Sequence, residues 1–136
     1  MFYEFKMPGE ITGKARPRMN TRTGRAYTPT KTKLYEYSLR EYFILKYPNF
    51  IPFEGRVKVK IIAYFGIVKS TSKRKEAEML LDNISPTKKP DADNIIKIVL
   101  DAMNKFAYLD DTQVVKLEFE KKYSKKPEIH IRIEEY

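Results

Sequence analysis

Apolar and polar positions alternate along four stretches of the chain and fall into a helical period along two others. From Phe2 to Met7, Tyr3, Phe5 and Met7 share one face, which predicts a strand. Between residues 12 and 30 the pattern lapses. Gly13, Pro17, Gly24 and Pro29 punctuate a loop whose tip, Asn20 to Arg25, closes a long hairpin or arm. Thr30 to Tyr47 reads as a helix with Tyr35, Leu39, Tyr42, Phe43 and Lys46 on one stripe and Pro48 as its stop. Val57 to Phe65 alternates again, with Val57, Val59, Ile61, Ala63 and Phe65 on one side. Lys69 to Leu81 is heavily charged and predicts a short helix followed by a mobile linker. Ser85-Pro86-Thr87-Lys88-Lys89-Pro90 is non-helical because of its two prolines. Asp93 to Phe106 is the strongest helical pattern, with Ile96, Val99, Leu100 and Met103 one turn apart and Ile95, Ile98 and Ala102 widening the face. Gln113 to Tyr123 and Glu128 to Glu134 are two further strands, joined across Ser124-Lys125-Lys126-Pro127. In the second, Ile129, Ile131 and Ile133 point inward and His130, Arg132 and Glu134 outward. The order β-α-β-α-β-β predicts an α+β fold: a single domain with a mixed β-sheet whose helices cover one face.

Composition narrows the function classes. The 136 residues, 42% hydrophobic and 13% aromatic, suit one domain with a real core and exclude wholesale disorder. No repeat or composition break divides the chain. No stretch approaches the roughly 18 apolar residues of a membrane span. Met1-Phe2-Tyr3-Glu4 lacks the basic-then-apolar pattern of a secretory signal, so a cytoplasmic protein with no membrane partner is expected. The absence of cysteine excludes disulfides, thiolate nucleophiles and cysteine-bound zinc. A single histidine, His130, argues against a Ser-His-Asp triad and excludes a multi-histidine metal site within one chain. Catalysis is left to carboxylates, lysines or tyrosines, and no small-molecule organic cofactor is expected.

Charge adds a direction. The net charge of +9 is unevenly spread: residues 1–53 carry 10 basic and 4 acidic side chains, residues 54–90 carry 9 and 4, and residues 91–136 carry 8 and 10. Thr12 to Lys33 holds Lys14, Arg16, Arg18, Arg22, Arg25, Lys31 and Lys33 without one acid. Such a density can be a solvated face, but it also attracts polyanions, and nucleic acid is the commonest of these in a cell.

Against this basic background the acids are conspicuous. Asp91 and Asp93 stand at the entry of the apolar helix, where two carboxylates can cap it and complement its dipole. Lys97 follows Asp93 by four residues and Asp101 follows Lys97 by four, the spacing of an ion-pair ladder worth about 0.3 kcal/mol per pair. Asp110 and Asp111 occupy the turn before the next strand, where acids are ordinary. Taken together, though, five acids lie between positions 91 and 111 on one helix and the loop after it. If the loop folds back, three or four carboxylates meet and repel one another unless a cation joins them. Oxygen ligands of this kind suit Mg²⁺ or Mn²⁺. A hard cation beside a basic surface is what phosphodiester hydrolysis requires, with Lys97 placed as a fixed positive charge near the phosphate.

At these residues the chain resembles the RusA family of Holliday-junction resolvases. The likeness rests on Pro90-Asp91-Ala92-Asp93-Asn94-Ile95-Ile96-Lys97, then Leu100-Asp101-Ala102-Met103, then Asp110-Asp111-Thr112-Gln113-Val114. A second match joins Gly13-Lys14-Ala15-Arg16-Pro17-Arg18 to Arg25-Ala26-Tyr27-Thr28-Pro29. Met103 stands where leucine is common in the family, a volume-conserving change. The resemblance implies that Asp91, Asp93 and Asp111 bind metal, with Asp110 as a neighbouring acid, and that Lys97 is the catalytic lysine. It implies Mg²⁺ as cofactor, with Mn²⁺ as a substitute, and a homodimer whose two sites nick opposed strands of four-way junction DNA symmetrically, leaving ends that a ligase can seal. Residues 90–115 would be the acidic catalytic segment. Residues 12–33 would be a basic DNA-binding arm, with Lys14, Arg16, Arg18, Arg22 and Arg25 on the backbone and Tyr27 free to stack on an opened base. No functional residue is carried over from the resemblance onto residues 34–89. Two other readings stay open at this point: a metal-dependent nuclease for another branched or flap substrate or RNA, and a non-catalytic nucleic-acid-binding protein.

Overall fold

The computed structural model describes residues 1–136. The alternating stretches form β1 (Phe2–Pro8), β4 (Val57–Gly66), β5 (Val114–Ser124) and β6 (Glu128–Glu135); the arm adds two short strands, β2 (Arg18–Met19) and β3 (Ala26–Tyr27). The helices are α1 (Thr30–Lys46), α2 (Lys73–Leu80) and α3 (Ala92–Met103). The main sheet has the order β1-β6-β4-β5, antiparallel except for the parallel β4–β5 pair. That pair needs a crossover, which α2 and α3 supply. β6 does not pair with β5, the strand just before it, but lies between β1 and β4, so the three-residue connection 125–127 passes over the end of β4. There Pro127 packs against Gly66 and its carbonyl accepts from the Gly9 N–H at 3.0 Å.

One face of the sheet is the core. Val57, Val59, Ile61, Ala63, Ile129 and Ile133 are fully buried, beneath Leu39 and Phe43 of α1 and Ile95, Ile98, Val99, Ala102 and Met103 of α3. Helix α1 packs toward β1 and α3 toward β5, and the two helices touch each other. The opposite face, with Glu4, Lys6, Lys58, Lys60, His130, Arg132 and Glu134, carries ion pairs and no helix. The α+β class and the mixed sheet covered on one side are as the pattern predicts.

Three local expectations are corrected. The buried line of α1 is Thr32, Glu36, Leu39 and Phe43, whereas Tyr42 and Lys46 are exposed. The helix is rotated from the predicted stripe, with Glu36 on the inner side paired to Lys14 and Arg40. Helix α3 ends at Met103, not Phe106: Asn104 is extended and Lys105 has φ +69°, which turns Phe106, Ala107 and Tyr108 back under the helix. Strand β5 begins after a 3-10 turn at Asp111–Gln113 rather than at Gln113.

Candidate active site

Asp91 at the N-cap of helix α3 is exposed, and the helix presents Asp93 and Lys97 to solvent on the side away from its apolar face. Asp91 occupies the cap position, yet its side chain makes no capping hydrogen bond. Asp93 and Lys97 make no ion pair, and Asp111 has none either. Neither the capping role nor the ion-pair ladder is therefore formed. Asp101, the third member of that ladder, turns to Lys14 instead, 3.2 Å away.

The turn that carries Asp111 is held by its neighbours. Asp110 accepts from the Thr112 hydroxyl at 2.5 Å and from its N–H at 3.3 Å. The Thr112 hydroxyl, then the Thr112 N–H, hold the Asp110 carboxyl below the usual carboxylate range. The Gln113 side-chain oxygen accepts from the N–H groups of Leu109 (2.8 Å) and Asp110 (2.9 Å), completing a capping box. Its amide donates to the carbonyls of Phe53 and Gly55, each at 2.7 Å, and ties the turn to the chain before β4. Behind it the buried Tyr108 hydroxyl donates to the Leu100 carbonyl at 2.7 Å, bracing the turn against α3. Burial raises the Tyr108 pKa, and the negative charges of Asp111, Asp101 and Asp110 add to the rise. The sequence gives Gln113 a place in the motif but no role, and Tyr108 lies outside every motif and predicted element.

The arm is an exposed hairpin pairing Arg18 with Tyr27 and Met19 with Ala26. The Asn20 side chain accepts from the Arg22 N–H (2.9 Å) and the Thr23 N–H (3.3 Å) to close its tip, and Gly24 takes φ +69° there. Arg16, Arg18, Arg22, Arg25, Lys31 and Lys33 are exposed and make no ion pair, and Tyr27 is half exposed. Lys14, expected among the DNA-contacting cations, points inward instead. It bonds to Glu36 and Asp101, and its side chain keeps 17% of its exposure.

The donor set suits a hard divalent cation, being oxygen only and free of competing cations at Asp91, Asp93 and Asp111. As the side chains lie, no three acidic or histidine residues converge closely enough to hold one. His130 sits on the open sheet face, bonded to Glu128 at 2.8 Å, and takes no part.

Comparison with known proteins completes the picture. The family model described as endodeoxyribonuclease RusA matches residues 8–134. The uncharacterized protein YqaN of Bacillus subtilis (strain 168) is 34% identical over an alignment of 136 positions that takes in 97% of this chain and 95% of that protein. With nearly its whole length matched, the chain belongs to the RusA endodeoxyribonuclease family.

Proposed function

We propose that this endodeoxyribonuclease resolves four-way DNA junctions in recombination and repair, by paired symmetric nicks and with Mg²⁺ as its cofactor, Mn²⁺ serving as a substitute. One observation carries the reading. Of the five acids between 91 and 111, Asp101 and Asp110 are bonded to protein partners, while Asp91, Asp93 and Asp111 are free. The free three, with the equally free Lys97, are the positions that match the family's essential carboxylates and lysine.

RusA nucleases are generally dependent on a divalent metal. Here Asp91, Asp93 and Asp111 would hold the ion, and Asp110, already bonded to Thr112, is the weaker candidate. A cation bound there supplies neutralisation of phosphate charge and acidification of a water. The rest falls to the chain's own groups. Arg16, Arg18, Arg22 and Arg25 grip the sugar-phosphate backbone, and Lys31 and Lys33 extend that surface into the first turn of α1. Two lysines at a helix N-terminus oppose the helix dipole, a cost that a bound phosphate backbone would offset. Tyr27 offers its ring to an unstacked base at the crossover. Lys97 offers its ammonium to charge developing on the cleaved phosphate. Symmetric nicking calls for two sites about a twofold axis, which a homodimer provides.

The test is a comparison of substrates. An immobile four-way junction, a flapped duplex and an RNA duplex are each incubated with Mg²⁺ under single-turnover conditions. The reading expects rapid paired nicking of the junction and weak cleavage of the others. Preference for the flap or RNA would replace the junction with that substrate, and binding without cleavage of any would make the chain a nucleic-acid-binding protein.

A further inference from the structure

Residues 13–15 make a run of contacts that the DNA-binding role of the arm does not require. Gly13 lies so close to the start of α3 that a Cβ there would stand 2.8 Å from the Cβ of Pro90 and 2.9 Å from that of Asn94. The Lys14 N–H donates to the Asn94 carbonyl at 2.8 Å. The Ala15 N–H donates to the buried Thr32 hydroxyl on α1 at 3.2 Å. Between them the Lys14 ammonium bridges Glu36 of α1 and Asp101 of α3. Glu36 is 8% exposed, and its other oxygen lies 3.6 Å from Arg40, whose guanidinium donates to the Ala102 carbonyl at 3.0 Å. Two cations and two anions thus bind the root of the arm, α1 and the carboxylate-bearing helix into one unit. From Arg16 to Tyr27 the arm is exposed.

Charges taken even partly out of water are costly unless well paired, and a half-buried network is a poor way to gain stability over apolar packing. Its use is geometric. The arm's cations would hold a DNA backbone, and Asp91 and Asp93 begin the helix against which Gly13 and Lys14 lie. We propose that Lys14 and Glu36 are positioning residues, which lock the root of the arm onto α3 so that a backbone gripped by the arm is presented to the free carboxylates and Lys97. Lys14 itself then touches no DNA. The proposal rests on the nuclease reading for its effect on rate, and on the structure alone for the anchoring.

The test compares Lys14→Met, Lys14→Arg and Lys14→Met/Glu36→Gln with the wild type. The double variant removes both charges together and carries the test if the single variant fails to fold. Three quantities are read: junction affinity against salt, single-turnover cleavage at saturating junction, and amide hydrogen exchange. Anchoring predicts that Lys14→Met speeds exchange at residues 14–15 and in the first turn of α3 while the β4 and β6 amides stay protected. It predicts nearly unchanged salt dependence and a saturated rate lower by roughly ten- to a hundredfold, as expected when a substrate is held slightly out of place. Lys14→Arg, which keeps the charge, should recover part of the rate. A salt slope lower by about one unit with a normal saturated rate would make Lys14 a phosphate contact and overturn the proposal. So would a lower melting temperature with normal exchange at the root and a normal rate, the mark of a merely structural pair. If the wild type cuts no junction, the junction reading fails separately, and exchange at the root still decides whether Lys14 anchors the arm.

Discussion

Lys97 stands free although Asp93 and Asp101 lie four residues to either side of it, and this decides what its substitution should do. Because no bridge depends on it, Lys97→Ala should leave thermal stability unchanged within about 0.5 kcal/mol. Its saturated single-turnover cleavage should fall by about a hundredfold, by analogy with transition-state donors worth roughly 3 kcal/mol. Lys97→Arg should recover only part of the loss, since guanidinium keeps the charge but not the compact geometry. A near-normal rate for the alanine variant would remove Lys97 from the chemistry. Asp111 invites a second comparison through Gln113, whose amide and carbonyl make four bonds to the backbone around it. Gln113→Ala strands those groups, and should cost about 1–3 kcal/mol in denaturant unfolding and slow cleavage by displacing Asp111. Loss of neither would show that the turn holds itself. Asp91, Asp93, Lys97 and Asp111 could be named as candidates from sequence because one helix and the turn after it carry them all, between positions 91 and 111. Lys14 could not be sorted from the other arm cations, because its partners come from α1 and α3 and only the fold brings them near.

At the level of elements, α3 and strands β1, β4 and β6 were legible from apolar period alone, since each buries one regular face, whereas β5 fully buries no residue and the two short arm strands are exposed. Helix α1 was legible as a helix but not in its orientation. Its buried line contains Thr32 and Glu36, which any hydrophobic count places outside, and ion pairing with Lys14 and Arg40 overrides that count. The apolar end of the line is nevertheless a strong anchor. Phe43 lies edge-on to Tyr3 at 5.2 Å and against Phe50 at 5.4 Å, so Phe43→Ala should cost about 3–5 kcal/mol in denaturant unfolding. The Lys14 network carries a pH signature. Burial works against the Lys14 charge, but its bonds to Glu36 and Asp101 prevail and raise its pKa above the ordinary value. A group whose folded pKa is raised stabilises fully below its unfolded pKa, about 10.4 for lysine, and loses that contribution as the pH climbs through the folded value. The melting-temperature gap between wild type and Lys14→Met should therefore hold steady through neutral pH and close only above roughly pH 10. A gap that closes near neutrality would deny that the ammonium is paired. In the arm, alanine at Arg16, Arg18, Arg22 or Arg25 should each lower the salt slope of junction binding by about one unit and leave the saturated rate alone.

For the molecule as a whole, fold class followed from element order, but strand order did not. The chain gives no local sign that β6 passes over β4 to pair with β1, because that choice rests on apolar burial gained from strands distant in sequence. The assembly remains a prediction: sedimentation at micromolar concentration should find a dimer, and a monomer both free and on a junction would refute paired nicking by two linked sites. On the proposed reading, Asp91, Asp93 and Asp111 are free of protein partners because they serve the reaction. The most direct test of that reading pairs each Asp→Asn variant with wild type on a labelled immobile four-way junction, measuring binding without added metal and single-turnover cleavage as Mg²⁺ is raised. Cleavage is expected from wild type only with the metal and from none of the three variants, with junction binding by the variants as tight as wild type or tighter. Cleavage at the wild-type rate by Asp93→Asn, or by wild type with all divalent ions chelated, would contradict that reading.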